Sequence, residues 1–111
     1  MKKTIWKELK LSIEDKKELE RLKNIFDGNS KSQIIQLISQ DSLFVFFDIL
    51  KADLKKAEDV FLLLKTGNKK NYKNCVDLVE ETQKRSKGRV IWNFQMDEKL
   101  KDVTRILALV R

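Results

Sequence analysis

Two adjacent carboxylate pairs, Glu58-Asp59 and Glu80-Glu81, and one thiol, Cys75, are the side chains with the most reactive chemistry in this chain. Two carboxylates do general acid–base work only when both point into one site. On a helix, neighbours point about 100° apart, so both pairs read as solvated surface. Cys75 stands on an apolar stripe with Tyr72 and Val79, and the chain has no His to activate it, which makes it a buried structural thiol. One Cys builds neither a disulfide framework nor a thiolate zinc cluster. Gly67 and Gly88 are isolated and are not expected to open a helix after a strand, as a phosphate-cradling loop must. Trp6, Trp92 and Phe94 have faces on which bases stack. No repeated basic–aromatic interleaving surrounds them, so they are assigned to core packing. The expectation is a non-enzymatic protein with no catalytic residues, no cofactor and no metal.

The elements that must carry any function are bounded by composition. The chain has 111 residues, 24 Lys+Arg against 17 Asp+Glu, no Pro and three Gly. That length suits one domain over residues 1–111 with a single core. The lack of turn-forming residues argues against an all-β fold. The formal charge of +7 points to an acidic partner: nucleic acid, a membrane or a protein face. It is unevenly spread. Residues 55–75 carry six basic and two acidic groups, whereas 29–54 carry two and three. The start, Met1-Lys2-Lys3, is followed by no sustained apolar run, so no secretory signal is read there. The apolar stretches 43–47 and 60–64 are far shorter than the ~20 residues of a membrane span. No membrane partner is expected, and the cytoplasm is the expected compartment.

The spacing of Leu19, Leu22, Ile25 and Phe26 predicts a helix over 14–26, stopped at Gly28. After a Gly28-Asn29-Ser30 turn, Ser30 is expected to cap a second helix over 31–40. Asp41-Ser42 leads into a short segment, 43–50, whose apolar run fits a helix or a strand. Asp53 is read as the cap of a helix over 54–65, ended by Thr66-Gly67-Asn68. A further helix is expected over 69–84. Residues 90–94, rich in β-branched and aromatic side chains, read as extended, and Asp97 as the cap of a last helix over 98–110. The expected fold class is all-α, a compact bundle of five to six short helices.

Two resemblances follow. Residues 7–13 alternate polar and apolar and precede two expected helices, a pattern similar to ribbon-helix-helix DNA-binding proteins over residues 7–40. That resemblance implies a dimeric regulator whose paired strands enter the major groove, with Glu8, Lys10 and Ser12 facing the bases and nucleic acid as partner.

The second covers nearly the whole chain. Residues 33–43, then Asp48-Ile49-Leu50, then 56–67, then 72–81 resemble a caspase-recruitment (CARD) type domain of the death fold. The second-helix Leu-Ile-x-x-Asp-x-Leu stretch and the fourth-helix Lys-Ala start, Leu-Leu run and basic-x-Gly end are present in order. The resemblance implies a Greek-key arrangement of the bundle. It also implies an adaptor that associates with a similar domain or with itself in a signalling or defence assembly. A basic face of Lys16, Lys17, Arg21, Lys23, Lys55, Lys56 and Lys65 would meet an acidic face of Asp41, Asp48 and Asp53.

Overall fold

Five consecutive apolar side chains, Val60-Phe61-Leu62-Leu63-Leu64, lie at the centre of the molecule, each at most 1% exposed. Burial on all sides suits an interior strand covered on both faces. They form strand β2 (Asp59–Thr66) in the computed structural model, which describes residues 3–28 and 30–111. Met1, Lys2 and Asn29 of the anticipated turn lie outside the described residues.

The remaining elements are α1 (Lys3–Ser12), α2 (Lys16–Phe26), β1 (Lys31–Ile38), α3 (Leu43–Ile49), α4 (Lys70–Arg85), β3 (Arg89–Met96) and β4 (Val103–Val110). Short 3-10 turns stand at Leu54–Lys56 and Glu98–Leu100. The strands make one mixed sheet in the order β1-β4-β2-β3. β4 is antiparallel to both neighbours, and β2 runs parallel to β3. A parallel pair needs a long crossover, and α4 supplies it.

Side-chain alternation splits the core into two layers. Val60, Leu62, Leu64, Ile106, Ala108 and Val110 meet Phe46 of α3 and Cys75, Leu78 and Val79 of α4. Phe61, Leu63, Leu107 and Leu109 meet Ile5 and Leu9 of α1, Ile13, and Leu22 and Phe26 of α2. The sheet is therefore sandwiched between two pairs of helices.

The all-α bundle is overturned. Three of its helices are strands: most of 31–40 is β1, most of 54–65 is β2, and most of 98–110 is β4. Strands buried on both faces lose the period of two and read as unbroken apolar runs, which helix spacing also fits. The Greek-key death-fold order falls with them. Several expectations hold. α2 is the helix expected over 14–26 and stops before Gly28 at φ 91°; its cap, which local spacing had not singled out, is Asp15, accepting from the Lys17 N–H at 2.9 Å. α4 and the extended 90–94 segment are as expected, and 43–50 resolves to helix, capped by the Ser42 hydroxyl. Asp53 and Asp97 do cap, but each caps a single 3-10 turn.

Candidate interaction surfaces

Residues 7–13, the anticipated DNA-reading strand, lie largely in α1. Leu9 and Ile13 are buried, whereas Leu11 is 82% exposed; a strand would place all three on one face. Glu8, Lys10 and Ser12 consequently share no groove-facing ribbon. Glu8 turns to the sheet and takes two hydrogen bonds from Arg105 at 2.9 and 3.0 Å. That guanidinium holds the Glu8 carboxyl below the usual carboxylate range, and the pair raises Arg105 in turn. Lys10 sits over the Trp6 ring, 5.7 Å from its centroid. Ser12 accepts through its carbonyl from the Gln95 amide at 2.6 Å. The ribbon-helix-helix reading is thereby excluded.

The basic and acidic residues do not make two opposed faces. Lys16, Lys17, Arg21 and Lys23 are exposed on α2, and Lys65 of β2 lies on that same side of the sheet, near Glu8. Lys55 and Lys56 stand on the 3-10 turn whose Leu54 joins the opposite core layer. Asp53 is beside them as its cap. Asp41 accepts from the Ile38 N–H at 2.9 Å in the turn after β1, and Asp48 is exposed on α3.

The reactive side chains are dispersed over β2 and α4. Glu58 and Asp59 stand at the start of β2, not on a helix, and both meet Arg111, at 3.6 and 3.4 Å. Asp59 is buried and paired with Arg89 at 2.9 Å and Arg111 at 3.4 Å. Glu81 pairs with Arg85 one turn along α4. Burial pushes the Cys75 thiol up to about 11. No group of three or more metal-ligating side chains occurs among the described residues, and no helix there is long and apolar enough to cross a membrane.

Contrary to expectation, Gly67 does stand between a strand and a helix. The space a side chain would need there is filled by the Lys101 backbone. Asn68 closes the turn, donating to the Lys101 carbonyl at 3.1 Å and accepting from the Asn71 N–H at 3.1 Å. The Asn68 side chain thus takes one N–H of the first turn of α4, whose Lys69 and Lys70 are exposed.

The open surface lies at β3. Its neighbour on one side is β2, and its other side is a sheet edge. Trp92 and Met96 of β3 and Tyr72 of α4 are three of the seven exposed large apolar residues described. Tyr72 reaches over Phe94, ring centroids 5.2 Å apart. Trp92, assigned to the core from sequence, is instead 43% exposed. The signal was present: 90–96 carries no charge, between Arg89 and Asp97.

This architecture, a mixed four-stranded sheet between helical layers, defines a fold class that known structures share. No family model matches the chain, and no curated protein matches it by sequence. The fold is similar to that of the empty FtsZ dimer of M. jannaschii. The TM-score is 0.66 at 16% identity, over 86% of this chain and 30% of that one. It is similar also to CetZ from Methanosaeta thermophila, with a TM-score of 0.65 at 12% identity, over 93% and 33%. The chain spans about a third of the length of these structures. The likeness is one of fold, and it replaces both the death-fold resemblance and the adaptor function attached to it.

Proposed function

We propose that this chain is an assembly module of the FtsZ and CetZ fold type, which works by associating with chains of its own fold and performs no catalysis by itself. The observation that carries this reading is the fold likeness to an FtsZ solved as a dimer, over 86% of this chain. Two features support the non-catalytic part. The turn at Gly67 is filled by backbone, and the carboxylates best placed for chemistry are held in ion pairs. The partner is a protein, a second copy or a longer chain of this fold.

Light scattering coupled to size exclusion, run from low micromolar to sub-millimolar protein, tests the reading. The expected result is a mass that rises with concentration toward a multiple of 13.1 kDa. Labelled nucleoside triphosphates are expected to show no binding to the isolated chain. A monomer at every concentration, or saturable nucleotide binding with turnover, contradicts it.

A further inference from the structure

The β3 edge is built for pairing. Arg89 donates its N–H to the Glu58 carbonyl and Asp97 donates to the Thr66 carbonyl, both at 2.9 Å. In a parallel ladder, alternate residues turn both backbone groups to the same neighbour. The odd-numbered residues from Arg89 to Asp97 therefore bond to β2. Val90, Trp92, Phe94 and Met96 turn their N–H and C=O groups to the open side. Pairing with β2 is continuous from Asp59↔Arg89 to Thr66↔Met96, with no bulge to twist the edge away. Natural edge strands are normally blunted by Lys, Pro, a bulge or short length. None of these devices is present over these eight residues.

We infer that this edge is a homodimerisation surface, at which two copies of β3 pair antiparallel about a two-fold axis through Asn93 and join their sheets. The inference rests on the proposed association of like chains and names the surface that performs it. Register follows from parity. With the axis at Asn93, Trp92 lies opposite Phe94 and Val90 opposite Met96. All four outward-turned residues of each copy then find partners. Their side chains share one face, on which Tyr72 packs against Phe94. A one-residue slip sets Trp92 against Asn93 and turns used backbone groups to the partner. The charges choose among the registers of correct parity. Only the Asn93 axis places Arg89 of one copy opposite Asp97 of the other at both ends, and a parallel pairing sets like charges together. The contact is isologous and closes at two copies.

The test uses the whole chain. Trp92→Pro removes an N–H that the monomer does not use, on an edge strand that tolerates proline; Trp92→Lys adds a charge at the same point. Each is expected to raise the dimer dissociation constant at least about tenfold, with the far-ultraviolet circular dichroism spectrum unchanged. Asn93 would sit in a non-hydrogen-bonded pair, whose Cα separation of about 4.5 Å suits a disulfide. Asn93→Cys is therefore expected to oxidise to a covalent dimer, and Gln95→Cys is not. Cys75 is buried and does not compete. A dimer that survives both Trp92 variants, with Asn93→Cys remaining uncrosslinked, overturns the β3 assignment and leaves self-association standing. A wild-type chain that is monomeric throughout removes both.

Discussion

Glu8 and Arg105 lie 97 residues apart in the chain and meet as a two-bond ion pair against the sheet. The ribbon-helix-helix resemblance implies that Glu8 faces the bases. Nothing local could say otherwise, because its partner is supplied by the last strand. The pair is partly shielded, with side chains 30% and 19% exposed for Arg105 and Glu8, so its worth is modest. Glu8→Gln is expected to cost about 1 kcal/mol at neutral pH, measured by urea unfolding. The folded-state carboxyl titrates below its unfolded value of 4.5. Its contribution is thus complete above that value and is lost as pH falls through the lowered one. The variant's deficit should shrink in acid; a deficit that stays constant with pH contradicts the ion-pair account.

At the scale of elements, β2 shows why helices were expected where strands form. Residues 60–64 offer no alternation, since every side chain is buried, and periodicity cannot separate such a run from a buried helix. Leu54–Lys56 form a 3-10 turn with Ala57 as its C-cap, and the strand that follows is the eight residues Asp59–Thr66, a usual length. By contrast, α2 and α4 each keep one polar face, and both were legible. Burial also ranks the residues. Leu63→Ala, at 1% exposed, is expected to cost about 2–5 kcal/mol. Leu11→Ala, on an equally apolar residue that is 82% exposed, is expected to change stability by about 0.5 kcal/mol or less. Equal losses in chemical denaturation would contradict the layer assignment.

The whole molecule needs both helical layers, because the sheet has an apolar face on each side. Deleting α1 and α2 bares Phe61, Leu63, Leu107 and Leu109, an apolar surface larger than a monomer normally shows. The truncated chain is expected to bind hydrophobic dyes and to aggregate. A soluble, cooperatively melting product contradicts the two-layer core. The same scale separates the charge from the contact. The +7 is spread over α2, the 3-10 turn near Lys55 and the start of α4, whereas the candidate interface at 90–96 has no charge at all.

Local signals were enough for what local physics controls. The cap Ser42, the capping role of Asp53 and Asp97, the stop at Gly28 and the two amphipathic helices α2 and α4 could be read from neighbours a few residues away. So could the absence of a His-based site and the extended character of 90–94. Which apolar runs became strands depended on partners far along the chain, because β1 pairs with β4, and β2 pairs with both β4 and β3. The strand order leaves β1 and β3 as the two edges of the sheet. Residues 90–96 carry the pattern of a pairing strand in the sequence, but only the strand order shows that one side of it has no partner.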